Sequence, residues 1–233
     1  MVRAGQLFSV LPQAPIMAVF FDCDGVLVDS ESLSASVLAA MLAERDIAFS
    51  EAAALDLLRG RQVATWIAEL FSALPLTGLP ATFQQDFRAR VSAAYRHQLR
   101  PEPHAQQLLD RVAVPYSIVS NAPGWKIRDG LACAGLDGSA ARQYVSAYDL
   151  GSWKPEPTVY LAAAAGIGVP AAGCLAVEDS DAGIQAAHAA GMRVIHYSRD
   201  EAIPTHPLAV ARSRNHLQTR LLTANLVTQG AAV

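Results

Sequence analysis

The chain has 233 residues, 52% hydrophobic and 17% charged, with a formal net charge of −3. That balance describes an ordered globule with ample core and excludes a disordered chain. The charge gives no electrostatic footprint for nucleic acid, and no apolar run approaches the roughly 20 residues of a spanning helix, so neither nucleic acid nor membrane is an expected partner.

Residues 1–15 carry Arg3 and some apolar side chains but are interrupted by Pro12 and Pro15, unlike a signal peptide. The run Val19-Phe20-Phe21 then leads straight into Asp22-Cys23-Asp24-Gly25. It predicts a buried parallel strand over 17–21 whose carboxyl end opens into a crevice. Residues two apart on an extended backbone project to one side, so Asp22 and Asp24 would face a shared site. Two carboxylates that close need a cation or a proton between them. A surface turn accounts for Asp24-Gly25 alone, but not for an acid capping a hydrophobic strand.

Beyond Ser30, which with Asp29 is a candidate helix cap, Leu33, Val37, Leu38, Met41 and Leu42 mark an amphipathic helix over about 31–45. Ser50 to Arg59, stopped by Gly60, predicts a second helix, and Val63, Ile67, Leu70 and Phe71 a third. Pro75, Gly78 and Pro80 read as a connector. A long fourth helix from about Thr82 carries Phe83, Phe87, Val91, Tyr95 and Leu99 at steps of four until Pro101 and Pro103 end it. Residues 31–100 are therefore expected to form an all-helical lid, inserted between a first core segment at 1–30 and the rest of the core at 101–233.

From Pro103 the pattern alternates between helix and short apolar strand. Helices are expected over 104–112, 124–134, 157–165 and 182–190, and strands at 116–119, around Tyr144-Val145, at 174–177 and at 194–197. The fold class is accordingly α/β, a doubly wound parallel sheet with an inserted helical domain. Leu217, Leu221 and Leu222 suggest a last helix. Cys23, Cys133 and Cys174, odd in number and without metal-type spacing, read as buried thiols of a cytoplasmic protein.

Three more polar clusters fall at strand ends on the edge that Asp22 and Asp24 occupy: Ser120-Asn121, the loop Ser152 to Pro157 around Lys154, and Glu178-Asp179-Ser180. Each alone also fits structural duty, as a turn, a solvated lysine or a helix start. Their coincidence on one edge is what points to chemistry. Together they supply what transfer of a phosphoryl group from a monoester requires. Asp22 and Asp179, with Glu178 a further candidate, are hard oxygen ligands suited to Mg²⁺. Lys154 adds a fixed positive charge near nucleophile and phosphate. Ser120 and backbone amides after Asp22 can donate to the equatorial oxygens, where charge accumulates. A carboxylate can act as nucleophile through an aspartyl-phosphate, and Asp24 can serve as general acid and then base.

These clusters resemble the haloacid dehalogenase superfamily of phosphotransferases. Asp22-x-Asp24-Gly25-x-Leu27-x-Asp29-Ser30-Glu31 is similar to its first motif, Ser120-Asn121 to its second, Lys154-Pro155 to its third, and Glu178-Asp179-Ser180-x-x-Gly183 to its fourth. The resemblance spans residues 17 to about 197 and implies a Rossmann-like core, with the helical insertion similar to the small cap of β-phosphoglucomutase-like members. It further implies that Asp22 is the nucleophile, Asp24 the acid and base, and that metal is held by Asp22, the Asp24 backbone carbonyl and Asp179, with Glu178 nearby or coordinating. Dehalogenases of the superfamily lack the second aspartate and phosphonatases replace it with alanine, so Asp24 weighs against both. Its mutases carry a histidine four residues beyond the Ser30 position, where this chain has Ser34, which favours hydrolysis. Val119-Ser120-Asn121-x-Pro123-x-x-Lys126, Tyr148-Asp149-Leu150 and Trp153-Lys154-Pro155 resemble the 6-phosphogluconate phosphatases of bacteria.

The resulting expectation is a Mg²⁺-dependent phosphatase for a small phosphorylated sugar or sugar acid, as a monomer or weak homo-oligomer. A sugar phosphomutase and a catalytically silent metal- or phosphate-binding regulator are the alternatives. Asn121, Lys126, Arg59 and its neighbour Arg61 are candidates for reading the substrate, the cations through a carboxylate or hydroxyls; each also fits an ordinary surface charge.

Overall fold

The computed structural model describes residues 15–58, 61, 63–78, 80–103, 105–198, 205–209 and 211–213. A parallel sheet of strand order β3-β2-β1-β4-β5-β6 forms its centre. Its strands are β1 (Ala18–Phe21), β2 (Tyr116–Ser120), β3 (Tyr144–Ser146), β4 (Cys174–Glu178), β5 (Arg193–Tyr197) and β6 (Ala211–Ser213). Strand β1 lies in the middle, with Phe21 beside Ile118 on one flank and Val177 on the other. The chain winds outward from β1 through β2 to β3, then crosses back to β4 on the opposite flank. Such a reversal leaves a crevice at the carboxyl ends of the strands.

Continuous apolar strands are needed because both faces are covered. Val19 and Phe21 join one core cluster with Ile118, Leu175 and Val177. Ala18 and Phe20, pointing the other way, join a second with Val119, Ala176 and Val194. Helices α5 (Ala105–Arg111) and α6 (Gly124–Cys133) contribute to the first cluster, and α8 (Thr158–Ile167) and α9 (Asp181–Ala189) to the second.

Between β1 and α5 the described residues hold four helices, α1 (Ser30–Ala43), α2 (Glu51–Leu58), α3 (Val63–Ala73) and α4 (Pro80–Gln98). Phe83, Phe87, Val91 and Tyr95 form the buried stripe of α4. Trp66 meets Phe87 edge-on with ring centroids 5.0 Å apart, and Phe71 meets Phe83 at 5.6 Å, geometries that add to the gain from burial. The two chain crossings run side by side as a strap: Asp29 N–H donates to the Arg100 carbonyl at 2.9 Å and Glu102 N–H to that of Leu27 at 2.8 Å.

Several expectations are corrected. Pro80 begins α4 instead of belonging to the connector, since proline lacks only an N–H that the first helical turn leaves unsatisfied. Ser30 is not a cap; Asp29 holds that position without a side-chain hydrogen bond. Ser50 does cap, its hydroxyl accepting from Ala53 N–H at 3.1 Å. Cys133 is half-buried instead of buried, unlike Cys23 and Cys174. The short helix α7 (Ala147–Leu150) and strand β6 were not expected. Gly60 as a helix stop and the helix at Leu217, Leu221 and Leu222 lie outside the described residues.

Candidate active site

The first residue past β1 is Asp22, whose N–H donates to the Val177 carbonyl at 3.0 Å and so fixes it at the sheet edge. Lys154 reaches it from the loop between α7 and α8. Its ammonium donates to Asp22 Oδ1 at 2.5 Å, Glu178 Oε1 at 2.5 Å and the Val119 carbonyl at 3.0 Å. All three protons are used, and one side chain ties together the ends of β1, β2 and β4. The loop is held in turn by Asn121, whose Oδ1 accepts from the Lys154 N–H at 2.9 Å. Burial alone would push the Lys154 ammonium down, but Asp22 and Glu178 outweigh it and hold its pKa above the ordinary lysine value.

Glu178 is fully buried. Its Oε1 also accepts from the Tyr160 hydroxyl on α8, and its Oε2 from Ser180 Oγ at 3.3 Å. Ser180 at the same time caps α9, accepting from Gly183 N–H at 3.2 Å. Glycine at 183 is required by space, because a Cβ there would stand 2.0 Å from the Glu178 carboxylate. Gly25 carries both constraints: its φ is +83° and a Cβ would stand 2.0 Å from Asp179 Oδ2. The turn after Asp22 is thereby pressed against Asp179.

Asp24 lies two residues on and is only partly buried. Its Oδ1 accepts from Ser30 Oγ, and Lys126 Nζ, on α6, stands 3.6 Å from the same oxygen. Ser120 ends β2 with its hydroxyl accepting from Ala122 N–H at 3.0 Å. Asp24, Ser30, Lys126 and Ser120 open on one cavity of about 380 Å³. Asp22, Asp24, Ser120, Asn121, Lys126, Lys154 and Asp179 line its floor, and α1 to α4 supply the opposite wall. On α4 the wall has two rows at helical spacing, apolar Phe87, Val91 and Tyr95 beside polar Arg88, Ser92 and Arg96. Arg88 reaches the Tyr148 hydroxyl at 3.4 Å, and Tyr148 packs edge-on against Trp153, which lines the mouth as well as covering the core.

Asp22, Glu178 and Asp179 offer oxygens that all lie within 4.8 Å of one another. Lys154 is the only ammonium in hydrogen-bond contact with this trio among the described residues, so negative charge is left in excess. Hard oxygen donors with unneutralised charge fit a divalent cation such as Mg²⁺. Both oxygens of Glu178 already accept hydrogen bonds, which leaves Asp22 and Asp179 the freer donors. Without a cation, burial raises both above the ordinary carboxylate value of 3.8; Lys154 pulls each down, while Glu178 pushes both up and Glu31 pushes Asp179 up further.

This has a sign that can be measured. Between the ordinary carboxylate pKa and the raised folded-state values the metal-free protein holds protons that the unfolded chain has lost, so stability falls as pH rises through that window. In EDTA the melting temperature should fall as pH is raised from above the ordinary carboxylate pKa toward neutral, and added Mg²⁺ should raise it more at the higher pH. A metal-free melting temperature that climbs across this range would contradict it.

Of the residues expected from the sequence, Asp22, Asp24, Ser120, Asn121, Lys126, Lys154 and Asp179 line the cavity, and Glu178 is buried behind it on Lys154. Arg61 also lines it, paired with Glu69, whereas Arg59 lies outside the described residues. Tyr160 and Tyr95 were missed. Both sit at buried helical positions whose spacing is that of core side chains, and nothing in the pattern marks their hydroxyls.

A family model of the haloacid dehalogenase-like hydrolases matches residues 16–191. The chain is 30% identical over 185 residues to 6-phosphogluconate phosphatase of Escherichia coli (strain K12), covering 79% of this chain and 84% of that protein. It is 31% identical over 189 residues to phosphoglycolate phosphatase of Xanthomonas campestris pv. campestris (strain 8004), covering 75% and 80%. A crystal structure of a HAD family hydrolase from Deinococcus radiodurans R1, with bound phosphate and sodium, superposes with a TM-score of 0.76 at 28% identity, over 94% of this chain and 100% of that one.

Proposed function

The chain belongs to the haloacid dehalogenase-like hydrolases and is a phosphomonoester hydrolase, and we propose that it is Mg²⁺-dependent and acts on a small phosphorylated sugar or sugar acid, with 6-phosphogluconate the first candidate. The observation that carries this reading is the pairing of Asp22, held by Lys154 at 2.5 Å, with Asp24 two residues on at the floor of the same cavity.

In this reading an Asp22 carboxylate oxygen attacks phosphorus and the ester P–O bond breaks. Asp24 passes its proton to the leaving oxygen, then takes one from the water that hydrolyses the aspartyl-phosphate. Lys154 orients Asp22 and offsets charge building on the transferring group, while Ser120 and the amides after Asp22 surround its oxygens. Asp22, Asp179 and the Asp24 backbone carbonyl would hold Mg²⁺, with Glu178 at its edge. Bound there, Mg²⁺ supplies the neutralisation that lets an anionic nucleophile approach a phosphate dianion. Residues 31–100 form the lid, and Arg59, Asn121 and Lys126 contribute to substrate reading. Arg88 and Arg96 on the cavity wall support an anionic far end, such as the carboxylate of a sugar acid.

Ser34 lines the cavity without an imidazole to shuttle protons, which supports hydrolysis over mutase action, and the intact catalytic set counts against a silent regulator. The protein is read as cytoplasmic, a monomer or weak homo-oligomer; among the described residues no helix is long and apolar enough to cross a membrane.

The test is release of inorganic phosphate from 6-phosphogluconate, phosphoglycolate and neutral sugar phosphates, with Mg²⁺ or EDTA. Mg²⁺-dependent release, greatest for a sugar or sugar-acid phosphate, is expected. No release from any ester would sink the reading, and isomerisation of a sugar 1-phosphate would favour the mutase.

A further inference from the structure

Tyr95 of α4 is 6% exposed and lines the cavity, yet its hydroxyl has no hydrogen-bond partner. Lys126 and Ser30 stand near enough to interact with it, but neither reaches hydrogen-bond geometry. Lys126 Nζ lies 5.5 Å from the centre of the Tyr95 ring and 3.6 Å from Asp24 Oδ1, near enough for attraction and too far for a hydrogen bond. Two polar groups, one from the lid and one from the core, thus converge beside Asp24 with hydrogen-bonding capacity unspent. A buried hydroxyl left unsatisfied carries a desolvation penalty, and a site retains such a group at no loss if its ligand completes the bond.

We propose that Tyr95 and Lys126 form a subsite for an acceptor oxygen, hydroxyl or carboxylate, on the carbon next to the ester carbon of the leaving group. The placement follows from Asp24. As the group that protonates the leaving oxygen, it must stand within hydrogen-bond reach of that oxygen, so its immediate neighbours meet the atoms one carbon further on. An ammonium and a phenol select an oxygen there and disfavour a methylene, which would leave both groups unpaired. The subsite makes substrate choice depend on the closed lid, because half of it travels with α4. This inference rests on the phosphatase reading above.

The test compares kcat/KM for 2-hydroxyethyl phosphate and ethyl phosphate, which differ in that one oxygen, in the natural protein, Tyr95→Phe and Lys126→Met. The preference for the hydroxylated ester should shrink about fivefold in Tyr95→Phe and about thirtyfold in Lys126→Met, with the change mainly in KM. The melting temperature of Tyr95→Phe should hold or rise, since an unpartnered buried hydroxyl is removed. Losses in equal proportion on both esters, or no preference in the natural protein, would overturn the subsite and leave the phosphatase standing. Release from neither ester, with activity on the sugar phosphates retained, would overturn it too, because one neighbouring oxygen would then not suffice for recognition; no release from any phosphomonoester would remove both readings.

Discussion

Asp22→Asn should abolish phosphate release, lowering kcat by at least about 10⁴-fold, the scale on which loss of a nucleophile acts. The amide is nearly isosteric, so the expected loss is chemical. It presents no anionic oxygen to phosphorus and cannot form the acyl phosphate, while its carbonyl can still accept from Lys154. The fold should be stabilised, because one buried charge is removed from a site with three carboxylates. Single-turnover phosphate release and thermal melting of the same preparation check both halves. Activity within tenfold of the natural protein would mean that another group attacks.

Lys154→Met should cost both activity and stability. Its ammonium is the cation between Asp22 and Glu178, and removing one partner of a buried ion pair typically costs about 3–5 kcal/mol, a fall in melting temperature of about 10 °C or more for a chain of this size. Glu178 suffers most, being wholly enclosed with Tyr160 and Ser180 as its remaining donors. Adding Glu178→Gln to the lysine variant should therefore recover part of the lost stability, since the two positions share one contact and their effects will not add. Additive losses in the double variant would show that the pair is not the source. Mg²⁺ should raise the melting temperature of Lys154→Met more than that of the natural protein.

The floor of the site was legible in the sequence for a definite reason. A polar residue directly after an apolar strand can only lie at a sheet edge, and parallel winding puts every such edge on one side, so Asp22, Ser120 and Asp179 were placed together by strand position alone. What each touches was not legible. Asn121 reads as a substrate contact, and nothing in the pattern shows that its Oδ1 also accepts from the Lys154 N–H. Ser30 has the composition of a cap, and only the fold of residues 22–30 brings its hydroxyl to Asp24. Tyr95 and Tyr160 repeat with the period of the core, and each brings one polar atom toward the site, which periodicity does not see. Helix α7 and strand β6 span four and three residues, too few for any period to emerge.

The strap joining the two crossings has a further consequence. Because the Asp29 N–H meets the Arg100 carbonyl and Val28 bridges Pro101, the chain leaves the sheet and returns to it at one point. Any segment whose ends can meet there could be spliced in without shifting the register of β1 against β2 and β4. Cavity floor and cavity wall can therefore be inherited separately: a lineage could exchange its roof and acquire a new diet while Asp22, Lys154 and Asp179 stayed where they are.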